Sequence, residues 1–292
     1  VTAEANNTTT PGHFGTGAVT VNGNGTLGKI VLGSGSVSGV NNSTVTVANN
    51  FALTNAFLYV QDQRQVINGT VAIGSAGATM GSTYNNAGAE ADKGLILSGV
   101  VSGSGPITIQ HTRIVTGQPY HVGFVAFNNN ANTYSGTVTI NENTTTSEGG
   151  VYLGIYQPSA LANAAVVASS DVPGTSLKFG NSPIVFNAGI GSATLGSISG
   201  AAKLVLTEYN ASTHAYGANS IALTVGGNNS STTYSGIISG GGSLTKSGTG
   251  TMTLSGVSTY TGNTIISNGT LLVNSPGSLG NTTVAVKTNA TL

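Results

Sequence analysis

Residues 236–292 alternate short apolar pairs with Ser, Thr and Gly. The runs are about four to six residues long, and a Gly- or Asn-bearing corner closes each. A period of two with corners this close leaves no length for a helix, so the stretch reads as strand, turn, strand, turn. Its pieces also recur upstream. Gly236-Ile-Ile-Ser-Gly is matched by Gly99-Val-Val-Ser-Gly and Gly196-Ser-Ile-Ser-Gly. Thr259-Tyr-Thr-Gly is matched by Thr133-Tyr-Ser-Gly and Thr233-Tyr-Ser-Gly. Pro276-Gly-Ser-Leu-Gly, leading to Val284-Ala-Val and Thr291-Leu292, is matched by Pro11-Gly-His-Phe-Gly, leading to Val19-Thr-Val and Thr26-Leu27. Repetition at this scale points to a solenoid, which has no natural domain size.

Charged residues make up 5% of the 292, and the net charge is zero. Stacked coils explain this. Each rung lies about 4.8 Å from the next, so a residue sits on its counterpart. Like charges repel at that distance, whereas Asn, Ser and Thr hydrogen-bond along the stack. The chain has no basic stripe to neutralise phosphates, which excludes nucleic acid as a partner. Neither a polybasic patch nor an apolar stretch of transmembrane length is present, which excludes membrane insertion by this segment. With no cysteine, the fold cannot rest on disulfides or thiolate metal sites. Val1-Thr-Ala-Glu-Ala is not a signal peptide. The pattern runs through both ends, so the reading is a fragment whose export signal and anchor lie outside it.

The string Gly242-Ser-Leu-Thr-Lys-Ser-Gly-Thr-Gly-Thr-Met-Thr-Leu-Ser-Gly, then Thr259-Tyr-Thr-Gly-Asn-Thr and Asn268-Gly-Thr-Leu, resembles the autotransporter-associated β-strand repeat, also called the passenger-associated transport repeat. The resemblance covers the last fifth of the chain well, reaches back in part to about Gly99, and returns near residues 12–27. It implies a right-handed parallel β-helix inside a long bacterial surface or secreted protein, in a Gram-negative-type outer envelope. It implies no catalytic residue.

The expected organisation is a single β-helix segment over 1–292, with less regular coils at 50–93 and the best-matching repeat at 236–292. At roughly 20 to 25 residues per coil there are about a dozen coils, a rod of about 55–70 Å. Residues 51–60 read as strand, where the cross-section widens. Leu161-Ala-Asn-Ala-Ala-Val-Val-Ala has a helical composition, but its place after Pro158-Ser-Ala-Leu aligns it with the rung at Pro276, so it reads as a turn followed by strand.

Candidate chemistry is sparse. Residues 61–65 and 88–93 carry Asp62, Arg64, Glu90, Asp92 and Lys93 in the least repetitive region, the first place to look for a partner contact. Glu148 with Asp171, or Asp62 with Glu90 and Asp92, could pair as carboxylates for glycoside hydrolysis, but no local motif supports either, and isolated loop residues are the favoured reading. His111 and Arg113 share a strand face, and His13 sits where its matching copy has Ser278, an exposed turn position. The histidines (His13, His111, His121 and His214) show no metal-ligand spacing, and no cofactor is implied. Asn-x-Ser/Thr triplets at Asn7, Asn42, Asn68, Asn143, Asn210, Asn268 and Asn281 follow from the composition. Tyr134, Tyr234 and Tyr260 recur at one repeat position, which favours packing over carbohydrate stacking.

The expectation is a non-enzymatic structural or adhesive segment, a stalk or filament of an extracellular protein. Its expected partners are itself, head to tail, and a surface glycan or matrix. The rival readings are a passenger stem with a toxin or polysaccharide-active function elsewhere, and a carbohydrate-binding module.

Overall fold

A computed structural model describes residues 3–5, 17–23, 28–32, 44–61, 64–83, 94–110, 123–141, 151–171, 182–210 and 215–292. All regular structure among them is β-strand, and every strand pair but one is parallel. Short strands with alternating burial, such as Ile107–Gln110 and Thr137–Asn141, turn sharply and meet the equivalent strand of the next turn. The chain is therefore a parallel β-helix, as expected, and twelve strands follow one another along the main path of its largest sheet.

Three faces recur in fixed order. Face one begins with Ala3–Ala5, Gly28–Leu32, Ala56–Gln61 and Ala78–Thr83, and passes through Ile107–Gln110 and Thr137–Asn141. Face two is the eight-stranded sheet from Thr44–Val47 to Thr207–Asn210 and its neighbour Ala215–Ser220. Face three begins with Val19–Asn22, Phe51–Thr54, Val71–Ile73 and Val101–Gly103. Two long strands then turn a corner without breaking. Leu161–Ala168 pairs with Ser192–Gly200 through a register shift between Leu161 and Ala165. The start of Ser192–Gly200 meets Ala222–Val225, while Gly200 meets Tyr234. From there face three continues through Ser243–Lys246, Thr264–Ile266 and Val284–Val286, and face one through Thr251–Leu254 and Gly269–Val273. Leu161–Ala168 is strand throughout, with the corner inside it.

Inward positions stack like on like. Ile107, Val138, Val166 and Ile198 form one buried column, and Ile67, Leu97, Phe127, Ile155 and Phe186 another. Val19 and Val21 share the inner face and pack against this core. Coil length is less uniform than the expected 20 to 25 residues. Leu244 pairs with Thr264, 20 residues on, whereas Val166 pairs with Ile198, 32 on. Residues 51–60 are strand, as expected, but not one strand. They form two strands meeting at Asn55, whose φ of 48° turns the corner and whose Nδ2 donates to the Gly23 carbonyl at 2.6 Å. Polar ladders run outside. Asn128 Nδ2 donates to Ser98 Oγ at 3.1 Å, and Gln157 Nε2 donates to Asn128 Oδ1 at 3.3 Å.

The two sequence repeats noted separately are halves of one contact. Ser135, Ser235 and Thr261 each donate a backbone N–H to the carbonyl of Gly103, Gly200 or Gly240 in the coil before. Those three glycines have φ of 102°, 118° and 98°, a region open to glycine and costly for other residues. The adjoining tyrosines turn inward and are buried. Tyr134 donates to the Gly105 carbonyl at 2.8 Å, Tyr234 donates to the Ala202 carbonyl, and Tyr260 meets Thr264 Oγ1 at 2.6 Å. Each stands at a different corner: Tyr134 between faces three and one, Tyr234 between one and two, Tyr260 between two and three. The motif is thus a corner device, usable at any vertex. Its last glycine lies against the coil below: a Cβ on Gly236 would sit 1.8 Å from the Ala202 carbonyl oxygen.

Gly236→Ala is expected to cost about 2–4 kcal/mol, because backbone must move to admit the methyl group. Gly189→Ala, at φ of 88° but with nothing within 4 Å, should cost only the backbone strain, about 1–2 kcal/mol. Urea midpoints of the two variants check this, and equal midpoints would contradict the corner contact.

Candidate functional edge and the buried ions

The longer connections between described strands cluster at one vertex. Residues 33–43, 84–93, 111–122, 142–150 and 172–181 all lie between a strand of face one and the next strand of face two. The connections at this vertex carry Asp62, Glu90, Asp92, Lys93, Arg113, Glu142, Glu148, Asp171, Lys178 and Lys203, ten of the sixteen charged residues of the chain. A charge placed within a rung would lie against its neighbours in the stack, so the connections are where charge is tolerated. Of the five residues singled out as a partner contact, Arg64 is half-buried at the start of the strand Arg64–Ile67, paired with Thr44. Asp62, Glu90, Asp92 and Lys93 lie outside the described residues, and so do Glu148, Arg113 and all four histidines. Asp171 is exposed and accepts the backbone N–H of Lys203, which ties two coils at this vertex. Among the described residues no group of three His, Asp or Glu could hold a metal ion.

Face two differs from the others because its outward side is apolar as well. Gly123–Phe127 and Val151–Ile155 are buried at every position. Their outward residues Phe124, Ala126 and Tyr152 join Ile96, Val185 and Tyr209 in a second cluster, separate from the core. Phe124 stacks on Tyr152 with ring centroids 5.3 Å apart, and Tyr152 meets Tyr209 edge-on at 6.4 Å. The signal for this was an unbroken apolar run in place of alternation, the mark of a strand covered on both sides.

Two buried ions were also missed. Lys246 takes an inward position beside Leu244 and is 1% exposed. Among the described residues no carboxylate meets it. Its Nζ donates to the carbonyls of Ser247 at 2.7 Å, Gly248 at 2.9 Å and Asn268 at 3.3 Å, so all three donors are used. The clue lay in Ser-Leu-Thr-Lys, where period two puts the lysine on the leucine's side. Glu208, 4% exposed, accepts the Gly191 N–H at 2.9 Å and the Asn219 amide at 3.0 Å. The Gly189 N–H, followed by the Asn219 and Gly191 donors, holds its carboxylate below the ordinary range against the opposing cost of burial. Nothing in Thr207-Glu-Tyr-Asn announces this role.

The model of the passenger-associated transport repeat matches residues 126–142 and 244–273. The chain carries this repeat. The second match spans Lys246 with its three carbonyls and the corner at Tyr260, and the first spans the corner at Tyr134, so the matched residues are those that clamp coil to coil. The repeat points to an autotransporter passenger region, secreted or exposed at the cell surface, with a structural character. No curated protein and no solved structure gives a significant match.

Replacing Lys246 by Ala strands three carbonyls and opens a cavity, and is expected to cost about 2–4 kcal/mol. Lys246→Met fills the space and should cost less; the urea midpoints order the two. Alkaline pH tests the tyrosines. Burial pushes the phenols of Tyr134, Tyr209, Tyr216, Tyr234 and Tyr260 up. The unfolded chain releases these protons near the ordinary tyrosine value, about 10, while the folded chain keeps them. Their stabilisation is whole below that pH and is lost as pH rises towards the folded values. Burial pushes Lys246 down, which has the opposite sign in this window, but five groups outweigh one. Tyrosinate absorbance is therefore expected to appear together with loss of β-sheet circular dichroism above about pH 10. Gradual ionisation with the fold intact would contradict it.

Proposed function

We propose that this segment is a stalk of its parent protein, a structural and adhesive rod without catalysis, able to extend by end-to-end stacking. The observation that carries the reading is the stacking of one coil on the next in fixed register: Ile107, Val138, Val166 and Ile198 form one buried column, and Lys246, Ile266 and Val286 stand in register along another. The coil with Val19–Asn22 on face three and Gly28–Leu32 on face one has the same phase as the coil with Val284–Val286 and Ala290–Thr291. A unit of this kind can therefore continue into another, whether in one chain or between chains.

The same geometry disfavours a glycan platform on the recurring tyrosines, because Tyr134, Tyr234 and Tyr260 are at most 1% exposed. Contact with a matrix or host glycan falls instead to the vertex of long connections.

Negative-stain electron microscopy of the purified segment and of the parent material tests the stalk. Uniform fibres, lengthening with concentration for the segment alone, are the expected result. Short discrete rods in both samples would remove end-to-end growth and leave a passenger stem that acts through what it carries.

A further inference from the structure

The one antiparallel pair among the described strands is a hairpin inserted part-way along the stack, Thr207–Asn210 with Ala215–Ser220. Thr207–Asn210 pairs with Ile184–Asn187 on its other side, so the hairpin finishes the eight-stranded sheet. The next coil does not build on it: Ile238–Ser239 stacks on Leu204–Val205 instead. In the coils, strand edges face along the rod and are covered by neighbours. Here the edge leaves the succession, and no described strand lies beyond Ala215–Ser220 in this sheet.

Natural sheet edges are usually guarded by lysine, proline or a charge turned into the pairing direction. Ala215-Tyr-Gly-Ala-Asn-Ser has none of these, and all but Tyr216 are exposed. The strand is nevertheless held firmly. Glu208 grips both the Gly191 N–H and the Asn219 amide, and Tyr209 meets Tyr216 edge-on at 5.6 Å. A firmly held strand loses little freedom when another is added to it.

We propose that Ala215–Ser220 is a lateral docking edge on which a second copy of this chain lays its own Ala215–Ser220 strand, antiparallel, across a two-fold axis. Main-chain hydrogen bonds supply the recognition. A two-fold pair sets each strand against its twin, and the small exposed residues Gly217, Ala218 and Ser220 let the backbones approach. The chain carries eight acidic and eight basic residues, so two copies meet without net repulsion. One such contact is small and weak, but an array of rods on a surface multiplies it. This pairing joins rods side by side and closes at two, whereas end-to-end stacking runs on, so the two associations succeed or fail separately.

The test is sedimentation velocity of the whole 292-residue chain over a concentration series, with A218K, A218E and an equimolar mixture of the two. A two-fold axis that relates antiparallel strands passes beside one residue and its own counterpart, and an axis at Ala218 pairs residues 216–220 with 220–216 and sets residue 218 of each copy directly across from its twin. Wild type is expected to dimerise with rising concentration. Each single variant should shift dimerisation to at least about tenfold higher concentration, and the mixture should restore it. Circular dichroism confirms that the variants fold. A wild type that stays monomeric overturns the proposal. So do variants that dimerise like wild type, a mixture that fails to restore pairing, or end-to-end growth alone.

Discussion

The structure depends on the close fit of one coil on the next. Two backbones about 4.8 Å apart leave no room for a side chain between them at the corners, and they place every residue on its counterpart. The glycine of the Tyr-x-Gly corner, the positive φ of Gly103, Gly200 and Gly240, and the columns of like residues all answer to that spacing. So does the composition. A charge inside the stack must find its partners within its own coil or the adjacent ones, as Lys246 does with three carbonyls and Glu208 does with backbone and amide donors.

On the proposed reading, specificity lies where the spacing is relaxed. The longer connections between described strands cluster at the vertex between faces one and two, and most charged residues of the sequence fall in the connections there. The hairpin at Thr207–Ser220 is a second departure, and coils after it shorten to about the minimum a three-sided section needs, as the 20-residue step from Leu244 to Thr264 shows. In the proposed stalk the regular part supplies length and stiffness, and the connections supply whatever is specific.

Much of this was legible in the chain. Parallel coils, their number, the inward set of Val19 and Val21, and strand in the ambiguous Leu161–Ala168 all follow from local alternation and repeat alignment. Residues 51–60 were legible as strand but not as two strands, because a corner at a single Asn55 leaves no gap in the apolar pattern. The proposed contact residues fared differently. Arg64 has a place in a strand, while Asp62, Glu90, Asp92 and Lys93 lie outside the described residues, and only their shared vertex can be assigned.

Sequence alone determined the class of fold and the near-absence of charge, since both arise from a period of two and from like residues stacking on like. Tertiary structure alone decided which repeat touches which. Gly-x-x-Ser-Gly and Thr-Tyr-x-Gly look like independent recurrences along the chain, about 30 residues apart at Gly103 and Tyr134. They become one contact only when a coil closes and lays the second over the first. Local pattern marks the outer apolar strands of face two and the inward place of Lys246, but the ring contacts there and the partners of Lys246 and Glu208 belong to the same class. Each is assembled across coils, by groups whose distance in sequence varies with coil length, so no fixed spacing could reveal them.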